Sequence, residues 1–194
     1  MKFDILLAGV GGQGILSIAS IVANGAMHKG LFVKQSEVHG MSQRGGAVVA
    51  NLRMADQPIH SDLIPAHEAD MILSLELLES LRYLEFLKPS GILLTSSARV
   101  VNVPNYPPED DLRRRVDQVP HHCLVDADAL AKQAGNHLAS NMVMVGAASH
   151  WLPLGLEEME GEMAAAFSRK GEKVVQTNLK AFALGREAAS WTPA

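Results

Sequence analysis

Six residues near the start of the chain, Gly9-Val10-Gly11-Gly12-Gln13-Gly14, constrain its fold more than any other segment. Gly9, Gly11 and Gly14 satisfy the G-x-G-x-x-G spacing. They follow an apolar run over residues 3–8 that predicts a buried strand. They precede a stretch of small and apolar residues from Ile15 to about His28, which predicts a packed helix closed by Gly30. Glycine permits the positive φ of a tight turn and lets backbone approach a ligand. The helix start beyond it offers unpaired N–H groups and a partial positive charge to an anion. Residues 31–35 predict the second strand, so the opening reads as a βαβ unit with its crossover.

The alternation continues down the chain. Residues 47–54 predict a strand turned by Asp56-Gln57-Pro58, and residues 69–75 a further strand of the parallel type. Leucine spacing predicts a helix from Glu76 to Leu87, stopped by Pro89 and Gly91, and residues 92–95 give another strand. Three prolines and three acids over 102–111 mark a surface loop. A late strand at Cys123–Asp126 feeds a helix from Ala127 to about Gln133. Helices follow over Asn141–Trp151, Leu156–Phe167 and Gly171–Ala188. This order predicts a single α/β domain over residues 1–194, a three-layer α/β/α sandwich around a mostly parallel, Rossmann-like sheet.

Composition excludes several functions. A net charge of -4 gives no general electrostatic reason to bind nucleic acid, and 5% aromatics leave little for base stacking. Asp4 and the glycines interrupt any signal-like apolar run, and no stretch of about 18 apolar residues occurs. The expectation is no membrane association and a cytoplasmic location. Cys123 is the only cysteine, whereas an iron–sulfur cluster normally takes about four thiolates. If the protein takes part in electron transfer, the redox centres must sit on another chain.

The second concentration of chemistry is Ser36 to Gly46, a polar, Gly-rich segment that reads as a loop. Glu37, His39, Ser42, Gln43 and Arg44 crowd it, and it should emerge at the C-terminal edge of the sheet, where open α/β folds keep their sites. Arg44 could clamp a carboxylate or phosphate in bidentate fashion. A dinucleotide site also needs an acid about 20 residues beyond the glycines, at the end of the second strand. Glu37 is near that place but embedded in the polar segment. The glycine turn thus has two readings: a nucleotide cradle formed by Gly9, Gly11, Gly12, Gln13 and Gly14, or a tight turn that only packs the helix or lines an interface.

Taken together, Gly-Val-Gly-Gly-Gln-Gly-Ile (9–15) and Ser-Glu-Val-His-Gly-Met-Ser-Gln-Arg-Gly-Gly (36–46) resemble the small β/γ subunit of the 2-oxoacid:ferredoxin oxidoreductases. The likeness is stronger to the indolepyruvate branch than to the pyruvate branch, because His39, Met41 and Ser42 precede Gln43-Arg44-Gly45-Gly46. It extends to about residue 190, so that the single domain over 1–194 resembles the γ domain of the pyruvate and ketoisovalerate enzymes. Asp70–Glu76 and Asn141–Gly146 also fit that pattern. The resemblance implies part of a complex that oxidatively decarboxylates a 2-oxoacid, indolepyruvate or another aryl pyruvate, joins the acyl group to coenzyme A and reduces ferredoxin. It also implies that thiamine diphosphate and the Fe–S clusters belong to a large partner subunit. This chain would then bind no cofactor tightly and would be inactive alone. Self-association is expected too, with Met27, Met41, Met142 and Met144 as candidates for an apolar interface.

Weaker features have bland readings. His121, His122 and Cys123 cannot all ligate one metal, since neighbours on a strand point to opposite faces. Either Asp126 or Asp128 should cap a helix, as should Ser74 and Asn141, and Cys123 should be buried and inert. Two alternatives to the oxidoreductase subunit stay open, a free-standing nucleotide-binding oxidoreductase and a purely architectural subunit. Tyr83 and Tyr106 are the only tyrosines, and no Tyr/Lys or Ser/His catalytic pair is evident.

Overall fold

The computed structural model describes residues 1–39 and 45–189, with His39 described by its backbone. Six strands form one sheet: β1 (Lys2–Val10), β2 (Phe32–His39), β3 (Ala47–Ala55), β4 (Ala69–Ser74), β5 (Leu87–Ser96) and β6 (His122–Val125), in the order β2-β3-β1-β4-β5-β6. β1, β4, β5 and β6 pair in parallel, while β3 runs antiparallel to both β1 and β2. The predicted crossover therefore does not bring its two strands together. β1 and β2 point the same way, but β3 turns back as a hairpin partner and fills the space between them. The second strand also continues through Ser36–His39, so the first four residues of the predicted loop are ladder.

Alternation along β1 separates two cores. Ile5 and Leu7 face a large cluster with α1 (Ile15–His28), α4 (Ala127–Ala134), α5 (Ser140–Ala148), α6 (Leu156–Phe167) and α7 (Glu172–Ala188). Leu6 and Ala8 face a smaller cluster with α2 (Leu77–Arg82) and α3 (Glu109–Asp117). The result is an α/β/α sandwich. Helix-covered faces on both sides explain why β1 is an unbroken apolar run and not an alternating one.

Several local expectations change. The helix after β4 ends at Arg82, followed by a short 3-10 turn over Leu84–Phe86. Pro89 and Gly91 lie inside β5, where residues 88–91 bulge out between the Ala69–Leu87 and Met71–Ile92 pairs. Pro89 is tolerated there because a bulge relieves it of ladder bonding. The acids of 109–111 open α3, with Pro108 as N-cap and Arg114 and Arg115 in the last turn, a charge order that suits the helix dipole. α5 is buried from Asn141 to Ala148, so Met142 and Met144 are core residues rather than interface. Met27 is 53% exposed, and Met41 lies outside the described residues.

Two packing features hold the layers in place. Where α5 crosses α7, a Cβ on Gly146 would lie 1.9 Å from the Phe182 carbonyl oxygen, and one on Gly185 would lie 1.9 Å from that of Val143. Only glycine allows that approach. On the other face, Asp4 and Arg53, directly opposite on β1 and β3, form a buried bidentate pair at 3.0 Å for each bond. Arg53 also donates to the Ser61 and Leu63 carbonyls, pinning the segment after β3 over the sheet.

Candidate functional site

The glycine turn closes the C-terminal end of β1. Gly12 (φ 104°) and Gly14 (φ 86°) occupy the left-handed region that a side chain would strain. At Gly9 the constraint is space, since a Cβ would sit 2.8 Å from Gln13 Oε1. Gly14 is the N-cap of α1 and has no side chain with which to cap it. The first-turn amides that a helix always leaves unbonded therefore start at a bare glycine.

Gln13 has a different job from the one its place in the motif suggests. Its Oε1 accepts from the Val10 amide at 2.7 Å, and its Nε2 donates to the Leu75 carbonyl at 3.0 Å. The side chain turns inward and staples the turn to the end of β4. Asn141, expected as a helix cap, lies within α5, whose N-cap is Ala139. Its amide instead sits against Gly14, with Nδ2 at 3.5 Å from the Gly14 carbonyl.

The two sequence motifs meet. Gly11 N donates to the Gly46 carbonyl at 2.8 Å, and Gly45 N donates to the Gly11 carbonyl at 3.3 Å. Beside them lies a cavity of about 490 Å³ lined by Gly11, Gly12, Gly14, Leu16, Glu37 and Val48 among others. Its size is within the range of small-ligand sites. Glu37 reaches it from inside β2, not from a polar loop, and so brings a carboxylate to the mouth of α1. In a dinucleotide fold the acid-bearing strand is the immediate neighbour of β1. Here β3 intervenes, placing that strand about 4.8 Å further out. Ser42, Gln43 and Arg44 lie outside the described residues, and His39 is described only as the last residue of β2.

Sequence reasoning missed Asn102 and the capping role of Glu76 at this edge. Asn102 Nδ2 donates to the Gly45 carbonyl at 2.7 Å from an exposed position in the segment after β5. Glu76, not Ser74, caps α2, accepting from the Glu79 amide at 2.8 Å. Ser74 supports that turn by accepting from Glu76 N and donating to the Glu76 carbonyl. Glu79 is 2% exposed, and burial pushes its carboxyl above the usual range; Arg82 pulls it down and Glu76 pushes it further up. The Glu76-x-x-Glu79 spacing was the available clue to a helix start.

The other candidates are accounted for structurally. Burial and a hydrogen bond to Glu76 push the Tyr106 phenol well above its ordinary range. Asp126 is the cap of α4, accepting from Ala129 N at 3.0 Å. His122 Nδ1 contacts the Val119 carbonyl at 2.7 Å, and no group of three metal-binding side chains occurs among the described residues. Cys123 is half-buried, and burial raises its thiol pKa.

Fold and edge together define an α/β/α domain whose glycine turn is bonded to Gly45 and Gly46, just before β3. The chain belongs to the pyruvate ferredoxin/flavodoxin oxidoreductase family, which it matches over residues 4–188. It is 35% identical to the indolepyruvate oxidoreductase subunit IorB of Pyrococcus horikoshii, covering 97% of this chain and 96% of that one. The γ subunit of a keto/oxoacid ferredoxin oxidoreductase from Geobacter sulfurreducens superposes with a TM-score of 0.70 at 27% identity, covering 96% of this chain and 98% of that one. A 2-oxoglutarate:ferredoxin oxidoreductase from Magnetococcus marinus, solved with 2-oxoglutarate, coenzyme A and succinyl-CoA bound, superposes with a TM-score of 0.80 at 21% identity. All of this chain aligns there, spanning 32% of that longer chain, and the likeness is one of fold. No helix among the described residues is long and apolar enough to cross a membrane.

Proposed function

We propose that the chain is the small subunit of a 2-oxoacid:ferredoxin oxidoreductase of the indolepyruvate type. The observation that carries this reading is the end-to-end match to a separate small subunit of nearly equal length. The complex would decarboxylate an aryl pyruvate oxidatively, pass the acyl group to coenzyme A and hand the electrons to ferredoxin. The single cysteine, Cys123, cannot ligate an Fe–S cluster alone, which agrees with clusters and thiamine diphosphate residing on a large partner.

In that assembly the C-terminal edge is the working face. Gly9–Gly14 supplies backbone that can approach a bound anion or the partner closely, and the 36–46 segment supplies the charges. Glu37 lines the cavity, while Arg44 is proposed to clamp a carboxylate, a phosphate or an acidic group of the partner. The intervening β3 argues against a free-standing dinucleotide enzyme, because the acid-bearing strand there is the immediate neighbour of β1.

Co-expression tests the assembly. A stable complex with a thiamine- and cluster-bearing chain should elute as one species, its visible absorbance belonging to the larger chain. Separate elution of the two chains at micromolar concentration would contradict the reading.

A further inference from the structure

Glu76 makes more hydrogen bonds than a helix cap requires. Its Oε2 serves the cap, but Oε1 reaches away from α2 and accepts from the Val100 amide at 3.1 Å and from the Tyr106 hydroxyl. The residue is 1% exposed. A buried carboxylate is costly unless its oxygens are bonded, and these three donors offset that cost. Two of them belong to the segment over 97–106 that follows β5. The same segment receives the Leu77 amide on the Ala98 carbonyl at 2.9 Å. Aspartate, serine and asparagine are the favoured caps. Glutamate is longer, and its length lets one carboxylate serve both helix and segment.

The clamped segment leads to the site. Two residues past Val100, Asn102 holds the Gly45 carbonyl at 2.7 Å, and Gly45 and Gly46 are bonded to Gly11. A continuous path thus runs from Glu76 through Val100 and Asn102 to Gly45 and the glycine turn. We propose that Glu76 is a positioning residue for the C-terminal edge: by clamping the 97–106 segment it holds Asn102 against Gly45 and so fixes Gly45 and Gly46 beside the glycine turn. Its importance for turnover rests on the reading of that edge as the working face.

Two variants separate this role from simple capping. Glu76→Asp keeps a good cap but is one methylene too short to reach Val100 and Tyr106. Asn102→Ala cuts the path at an exposed residue and leaves Glu76 intact. Amide exchange in the full chain, read at Val100, Gly11 and Gly45, is measured beside thermal melting. E76D should speed exchange at all three amides by about 3- to 10-fold, the range for one net hydrogen bond. N102A should do so at Gly11 and Gly45 alone, and the double variant should exchange there no faster than E76D. Unchanged exchange at Gly11 and Gly45 in either single variant overturns the proposal. The same variants are assayed for acceptor reduction in the reconstituted complex. Faster exchange with unchanged turnover would uphold the positioning role and count against the edge as working face.

Discussion

Gly11 and Gly46, 35 residues apart in sequence, are joined by an amide-to-carbonyl bond of 2.8 Å, and this contact makes one surface of two motifs. It exists because β3 returns antiparallel between β1 and β2, setting Val10 opposite Ala47 and Val48 opposite both Gly9 and His39. The consequences are testable at single positions.

Gly14→Ala should destabilise the fold through backbone and space together. The left-handed conformation costs a non-glycine residue about 1–2 kcal/mol. The new Cβ would also lie 2.5 Å from Asn141 Nδ2. Thermal melting should fall by roughly 2–8 °C for a domain of this size. Adding Asn141→Ala should relieve the contact but not the backbone term, recovering only part of the loss. Full recovery would show that the turn imposes no conformational demand.

Gly146→Ala and Gly185→Ala should be worse, because each Cβ meets helix backbone that cannot swing aside. Arg53→Ala belongs with them, since it leaves the buried Asp4 carboxylate only the half-exposed Lys2 Nζ at 3.1 Å. Breaking such a pair costs about 3–5 kcal/mol. Urea denaturation should show losses of that order, and a loss below about 1 kcal/mol for Arg53→Ala would mean that Asp4 finds solvent or another partner.

Glu79 gives a pH dependence with a defined sign. Burial raises its folded pKa above the ordinary value of 4.5. The folded state therefore holds this proton more tightly than the unfolded chain does. Its contribution to stability is greatest at low pH and is lost as pH climbs from about 4.5 through the raised value. Glu79→Gln removes that penalty, and it also removes the carboxylate whose Oε2 is buried without a hydrogen-bond partner among the described residues. The variant should gain melting temperature relative to the wild type at pH 7.5, and the gain should shrink as pH falls toward 4.5. A constant difference across that range would mean that the carboxylate is well solvated.

The sequence was most legible where period and punctuation agree. The apolar run of β1, the glycine turn and α1 were all readable because a buried parallel strand and a helix start each leave a local signature. The antiparallel insertion of β3 was not, because strand order depends on a hairpin whose partner choice no residue announces. α3 was misread because its three acids looked like solvated loop, although acids in a first turn behind a proline favour a helix start. The placement of the edge was half legible: the glycines announce a tight turn by type, and Glu37 lies at the spacing that brings the second strand's end toward it. Gln13, Glu76 and Asn102 act through long-range bonds that only folding creates.

Arg44→Ala tests the charged half of the 36–46 segment. If Arg44 makes a well-formed charged hydrogen bond, its loss should cost about 1.5–3 kcal/mol, or roughly 10- to 150-fold in turnover or affinity. An ordinary surface charge is worth less than about 1 kcal/mol. The readout is 2-oxoacid-dependent reduction of an artificial acceptor, with melting as the control for folding. Unchanged turnover at unchanged stability would remove Arg44 from the site.

The most direct test of the central claim is acceptor reduction by the large and small chains, separately and together, with indolepyruvate and coenzyme A. Neither chain alone should sustain turnover, the mixture should, and acyl-CoA should form in step with acceptor reduction. Full turnover by the large chain without this one, or 2-oxoacid-independent NAD-linked oxidation by this chain alone, would contradict that claim.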